Sequence, residues 1–285
     1  AYRKLVEVDN IKYTLGPMCS SELLAIAPSA NQDKVLVLSS SATSPDVTNA
    51  GDYIFRDVAS DDLRAKVFAN YIYSDKGVTE IVIIYENDDA GVGYEQAFVK
   101  EYERLGGKII MAELYAKDSS DVRTQLTKIK EKSPKNILML SYPSETGIIL
   151  KQAKEIGINV QFFEGFEIMM DPQVAKIAGD SVNGVIYIQG VSLSGSATEN
   201  FKEEYKTKYG KDAPYYAAEA YDIIMLYKKA IEGNNNAEKV KSALYSIQNF
   251  EGVSGKISFD SNGDVVKPFE IGEVQNRTLT QIKII

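Results

Sequence analysis

The stretch TEIVIIYENDDAGVGYEQAFVKEYERLGGKIIMAEL, residues 79–114, decides the fold of this chain. Its opening, Glu80–Tyr85, is an unbroken Ile/Val run suited to a strand buried on both faces of a parallel sheet. Gly93–Leu105 follows with Tyr94, Phe98, Tyr102 and Leu105 at helical spacing, and Lys108–Leu114 reads as the next strand. Strand, helix and strand in succession predict a βα crossover between parallel neighbours.

The same alternation extends outward. Toward the C-terminus come a helix at Val122–Ile129, a strand at Asn136–Ser141, a helix at Glu145–Ile156, a short strand at Phe162–Phe163 and a longer one at Gly184–Gly190. Toward the N-terminus, strands are predicted near Tyr13–Leu15, Val35–Leu38 and Tyr53–Arg56, with a short helix at Glu22–Ala27. Asp61–Ser74 reads as an amphipathic helix capped by Ser60 and Asp61. After Gly190 come three helices, Asn200–Tyr209, Tyr216–Glu232 and Ala237–Ser246, with Gly210 and Gly233 as stops. Lys256–Phe259, a turn at Asp260–Asp264, Phe269–Val274 and Leu279–Ile284 read as an antiparallel meander. The expected fold class is α/β, in two lobes, each with a mostly parallel sheet flanked by helices.

Composition narrows the function. The chain has 285 residues, 44% hydrophobic and 25% charged, the balance of an ordinary globular protein. No apolar run approaches the ~20 residues of a spanning helix. A net charge of −8 repels nucleic-acid phosphates, and the Lys128–Lys132 run, with Glu131 among its lysines, reads as a solvated helix face. Histidine is absent and Cys19 is the single cysteine, which removes the commonest general base, the His-paired nucleophiles and any zinc cluster. No metal and no cofactor is expected. Gly91-Val-Gly93 is too short for a dinucleotide fingerprint, and Asp260-Ser-Asn-Gly-Asp264 lacks the spacing of an EF-hand loop. The chain is expected to perform no catalysis.

Four loops share one property: each follows the C-terminal end of a predicted parallel strand, where open α/β sheets bind ligands. They are Gly16–Ser21, Ser39–Pro45, Ser141–Glu145 and Glu164–Glu167. The hydroxyls and leading N–H groups of the first suit an anion; the second adds uncharged donors. Taken singly, each has a plainer reading. Ser20 or Ser21 only caps a helix, the serine run is ordinary loop, Tyr142 is a core aromatic, and Glu164 and Glu167 are solvated acids. Their coincidence at strand ends favours a binding site.

Several blocks carry a resemblance: Gly16-Pro-Met-Cys-Ser-Ser-Glu22, Ser41-Ala-Thr-Ser-Pro45, Tyr53-Ile-Phe-Arg56, Leu150-Lys-Gln-Ala-Lys-Glu-Ile-Gly157, Ile177-Ala-Gly-Asp180 and Ala218-Glu-Ala-Tyr-Asp222. In this order they resemble the leucine/isoleucine/valine-binding class of type I periplasmic binding proteins of ABC transporters, over the whole chain. The resemblance implies two lobes joined by three crossings, with residues 1–76 plus 191–252 in lobe 1 and 77–190 plus 253–285 in lobe 2. It implies hinge closure on an amino acid, aliphatic or branched-chain, captured in the inter-lobe cleft. Ser20, Ser41, Ala42 and Thr43 would grip its carboxylate, Glu167 its α-ammonium, and Tyr142 would flank it. An apolar wall is expected from Phe166, with Met169 and Met170 as wall or core.

The implied partners are that small molecule and an ABC permease outside the cytoplasm, in the periplasm or at the cell surface, with no nucleic acid and no membrane insertion. The alternative is a ligand-sensing receptor domain for amides, urea or aromatic acids. Two departures stand out. The family opens with a strand, helix and strand that are expected before Ala1, and Cys19 matches a position that in some members pairs with a cysteine in that stretch. Ala90 stands where many relatives carry a cleft-lining tyrosine, which implies room for a larger ligand.

Overall fold

The computed structural model describes residues 1–191, 196–214 and 216–285. After a helical turn at Lys4–Val8, its elements are β1 (Tyr13–Leu15), α1 (Ser20–Asp33), β2 (Leu36–Ser39), β3 (Ile54–Arg56), α2 (Asp61–Asn70), β4 (Glu80–Glu86), α3 (Asp89–Arg104), β5 (Lys108–Tyr115), α4 (Arg123–Glu131), β6 (Asn136–Leu140), α5 (Pro143–Glu155) and β7 (Gln161–Glu164). They continue with α6 (Pro172–Ala178), β8 (Ile186–Gly190), α7 (Ser196–Tyr209), α8 (Ala217–Ile231), α9 (Ala237–Tyr245), β9 (Phe250–Gly252), β10 (Gly255–Ile257), β11 (Phe269–Gln275) and β12 (Thr278–Ile284).

Two compact units result, Ala1–Ser60 with Ser192–Lys267 and Asp61–Val191 with Pro268–Ile285. The chain therefore passes between units at three places. In the first unit β1, β2 and β3 form a parallel sheet, with Leu15 opposite Leu38 and Leu38 opposite Phe55. Strand alternation sends Leu36 and Leu38 into a core with Ile223, Leu226 and Leu244, and Val37 into another with Leu23 and Ala27. In the second unit a seven-stranded sheet runs in the order β12-β11-β8-β7-β6-β4-β5. Its strands from β8 to β5 are parallel and β11 and β12 antiparallel. The Ile81–Ile84 run is fully buried, as an Ile/Val strand covered on both faces must be.

The unit boundaries differ from the lobes expected at 76/77 and 252/253. Helix α2 was expected in lobe 1; its Ala65, Phe68 and Ala69 are buried, Phe68 packs edge-on against Phe163 at 6.1 Å, and Asn70 donates to Glu101 at 2.8 Å, so it belongs to the second unit. The segment 253–267 stays in the first unit because Val265 bridges to Ala59 and Asp264 pairs with Arg56. Of the lobe 1 range, residues 192–195 and 215 lie outside the described residues.

The tail is not one meander. Gly255–Ile257 pairs with Phe250–Gly252, whereas Phe269–Gln275 pairs with Ile186–Gly190 and Thr278–Ile284. Helix α1 runs well past the expected Ala27, because Ala30 continues the buried stripe of Leu23 and Ala27 beyond Pro28. Helix α6 escaped the sequence reading: it is seven residues long with only Val174 and Ala178 buried, too short a period to register.

The turn at 260–264 is tight, with Asp260 N–H donating to the Asp264 carbonyl at 2.9 Å. Gly263 sits there at φ +78°, and a Cβ on it would lie 2.5 Å from the Ile54 carbonyl oxygen. Gly263→Ala is therefore expected to cost roughly 1–3 kcal/mol of stability through the left-handed backbone and the clash together. Hydrogen exchange at Ile54–Arg56 checks this; unchanged protection there would show that the turn relaxes freely.

Candidate ligand-binding site

The expected ligand-binding residues fall in both units, and each group has its own local geometry. In the first unit, α1 begins at Ser20 directly after the loop that follows β1, and its leading N–H groups point out of the helix without intrahelical acceptors. The 39–45 loop lies against this corner. Ser39 Oγ donates to the Pro17 carbonyl at 2.7 Å and accepts from Ala42 N–H at 3.1 Å. Ser41 Oγ donates to the Met18 carbonyl at 3.0 Å, and Ser44 N–H donates to Ser20 Oγ at 3.1 Å. So Ser20, Ser41, Ala42 and Thr43 are brought together, and Ser20, Ala42 and Thr43 are buried.

Arg56, fully buried, holds this loop from beneath. Its guanidinium donates to the carbonyls of Ala42 at 3.2 Å and Ser44 at 2.9 Å, and takes Asp264 at 2.6 and 2.9 Å. Drawing those carbonyls inward leaves a corner of hydroxyls and a helix N-terminus, with no carbonyl of Ala42 or Ser44 turned toward an anion. Arg56 entered the sequence reading only as the end of a predicted strand and as part of a resemblance block.

In the second unit, Tyr142 precedes α5 and its hydroxyl donates to Asp88 Oδ2 at 2.8 Å, while Asp88 Oδ1 caps α3 by accepting from Gly91 N–H at 2.7 Å. Phe166 packs on Tyr142 at 5.4 Å and on Tyr94 at 5.9 Å. The Tyr94 hydroxyl is buried and has no hydrogen-bond partner among the described residues. Ala90 is buried in the first turn of α3. Met169 belongs to the core cluster, whereas Met170 is 48% exposed.

Neither acid of the 164–167 loop is solvated, contrary to the single-residue reading. Glu164 ends β7 fully buried, and it accepts from Ser141 Oγ at 3.2 Å, Thr146 Oγ1 at 3.0 Å and Phe166 N–H at 2.9 Å. Burial pushes its carboxyl up to about 8, against the three neutral donors that favour the anion. The loop passes close behind: a Cβ on Gly165 would meet Leu140 Cδ2 at 2.5 Å and Tyr94 Cζ at 3.0 Å.

Glu167, 5% exposed, pairs with Arg64 at 2.9 Å, and the same guanidinium pairs with Asp61 at 2.9 Å. Arg64 also lies over the Phe269 ring at 5.7 Å. The sequence reading treated Asp61 as a cap and passed over Arg64. A signal was present, since Asp61, Arg64, Ala65, Phe68 and Ala69 form one buried helical stripe with two charges on it.

The profile of the family described as periplasmic binding protein matches residues 1–278. A leucine-, isoleucine-, valine-, threonine- and alanine-binding protein of Pseudomonas aeruginosa is 27% identical over 268 residues, covering 90% of this chain and 69% of its own length. Among solved structures, a leucine-binding protein of Thermotoga maritima superposes with a TM-score of 0.90 at 26% identity, covering 99% of this chain and 82% of that one. A branched-chain amino acid transporter substrate-binding protein of Streptococcus pneumoniae, in complex with isoleucine, does so with a TM-score of 0.87 at 26% identity, covering 99% and 81%. The chain belongs to the periplasmic binding protein family, and its fold is that of the type I binding proteins. Among the described residues, no helix is long and apolar enough to cross a membrane.

Proposed function

We propose that this chain is an extracytoplasmic substrate-binding protein that captures an aliphatic, branched-chain amino acid and delivers it to an ABC permease, without catalysis. The reading is carried by one observation: a helix N-terminus flanked by the Ser20 hydroxyl is present in one unit, and a buried acid, Glu167, in the other. An amino acid is a zwitterion whose carboxylate suits the first and whose ammonium suits the second. Ser20 and the Ser41–Thr43 segment are assigned to the carboxylate, Glu167 to the ammonium, and Tyr142 with Phe166 to the side chain.

A second reading draws on Arg64, which already gives Glu167 a cation. It makes the chain a sensor for ligands with no α-ammonium, such as aromatic acids or amides.

Calorimetric titration against the amino acids separates the two. Saturable binding of leucine, isoleucine or valine is expected, with Glu167→Gln weakening it by about tenfold or more, as loss of a charge-assisted bond does. Unchanged affinity in that variant would remove Glu167 from the site. Binding of a desamino acid as tight as that of the amino acid would favour the sensor.

A further inference from the structure

We propose that Glu164 is kept as a neutral acid whose proton closes a ring with Ser141 and Thr146, and that this ring positions the two loops of the second unit assigned to the ligand. The role rests on the assignment of Tyr142, Phe166 and Glu167 to that ligand; the proton rests on geometry. Ser141, Thr146 and Glu164 are all fully buried.

The ring has three edges. Ser141 Oγ lies 2.7 Å from Thr146 Oγ1, Thr146 Oγ1 lies 3.0 Å from Glu164 Oε2, and Ser141 Oγ lies 3.2 Å from the same Oε2. Two oxygens so close repel unless a proton lies between them, so three edges call for three protons. Each hydroxyl supplies one, and it rotates, so the direction of donation along each edge follows from the count. An ionised Glu164 supplies none and leaves one edge with lone pair against lone pair. The Ser141 carbonyl, 3.3 Å from Thr146 Oγ1, is no remedy, because a proton directed there leaves the ring.

A protonated Glu164 completes the set. Oε2–H donates to Thr146, Thr146 donates to Ser141, and Ser141 donates back to Oε2. Backbone donors to the carboxyl lie on no edge of the ring and do not alter the count. Burial, which raises this carboxyl to about 8, acts in the same direction.

The other oxygen gives the ring its reach. Oε1 accepts from Phe166 N–H at 2.9 Å, as the carbonyl oxygen of an acid does. Phe166 packs on Tyr142, and Thr146 N–H donates to the Tyr142 carbonyl at 2.8 Å. One side chain at the end of β7 therefore fixes the 164–167 loop against the 141–146 turn. Both segments carry residues assigned to the ligand, so the ring acts on binding through them and touches no ligand itself.

Two measurements on the full chain at about pH 6.5 test this. In the infrared difference spectrum of the parent against Glu164→Gln, the carbonyl band of a protonated carboxylic acid is expected from the parent and not from the variant. Subtraction cancels Glu86 and Asp57, the other raised acids, which both proteins share. Calorimetric titration with leucine reads the positioning. Glu164→Gln is expected to bind within about twofold of the parent, because two amide protons and two hydroxyls fill every edge. Glu164→Met is similar in size but lacks an acceptor for Phe166 N–H and a donor for the ring, and is expected to bind at least about tenfold more weakly. Thr146→Val opens two edges, is expected to weaken leucine as well, and serves if the methionine variant does not fold.

A missing band overturns the neutral state, and so does a tenfold loss in Glu164→Gln, which would mean that binding uses the charge. Parent-like affinity in Glu164→Met and Thr146→Val overturns the positioning role. A merely structural ring would lower the fraction of chain that binds while leaving the affinity of that fraction unchanged, which overturns that role too. A parent that shows the band but binds no amino acid overturns the proposed function and the positioning role with it, while the proton count stands.

Discussion

Arg56→Met is expected to destabilise the unit Ala1–Ser60 with Ser192–Lys267 by about 3–5 kcal/mol, the cost of removing one partner of a buried ion pair. Arg56 is fully buried and Asp264 is 8% exposed, so the abandoned carboxylate has little access to water. The loss is larger than one pair. The Ala42 and Ser44 carbonyls and Thr48 Oγ1 lose a donor at the same time. Each buried acceptor left without its partner adds to the cost.

A chain of two units need not unfold in one step, so a single midpoint is a poor readout. Hydrogen exchange read at Leu36–Ser39 and Ile54–Arg56 localises the effect; protection there should fall while β4 and β6 keep theirs. Arg56→Met combined with Asp264→Leu should recover much of the loss, because the double change leaves no lone charge behind. Full protection in the single variant would show that water reaches Asp264 and that the pair is dispensable. Ligand binding should weaken too, since the carbonyls that Arg56 draws inward belong to the loop assigned to the ligand carboxylate.

The second large effect is a pH dependence centred on Glu164. In the folded chain its carboxyl is raised from 4.5 to about 8, so the folded form holds the proton more tightly than the unfolded one. Its contribution to stability is therefore present in full below about pH 4.5, and is lost progressively as pH rises toward 8. Every tenfold gain in proton affinity on folding is worth about 1.4 kcal/mol, so the loss amounts to several kcal/mol.

Glu164→Gln removes the charge and keeps the shape. Its amide oxygen can accept from Phe166 N–H, while the hydroxyls of Ser141 and Thr146 rotate to accept from the amide nitrogen. The variant is expected to match the parent near pH 5 and to exceed it by roughly 2 kcal/mol or more at pH 8. Glu86, raised to about 7 chiefly by burial, and Asp57, raised to about 6 by burial, leave a shallower slope in both proteins. Parallel stability curves for parent and variant would mean that the three donors hold Glu164 ionised.

The alternation of Ile/Val runs with helical periods fixes the class of fold without reference to any distant contact. Glu80–Tyr85 reads as a covered strand, and Tyr94, Phe98 and Tyr102 as one helix face, because both periods are local properties of the chain. The hydroxyl-rich loops at strand ends were legible for the same reason. Ser20 and the 41–43 segment do come together, as the βα rule requires.

What the sequence alone did not decide are the unit boundaries and the state of the charges. Lys256–Ile257 reads as a strand wherever it pairs, and its partner, Phe250–Gly252, follows from how the tail folds back. Glu164 and Glu167 look like surface acids in a string of letters, since an isolated carboxylate is costly to bury. Tertiary structure reverses that expectation by supplying Ser141, Thr146 and Phe166 N–H to the one and Arg64 to the other. Local period determined where most of the strands and helices lie in this protein; partners far along the chain decided which of its charges are buried, and only those partners make their burial tolerable.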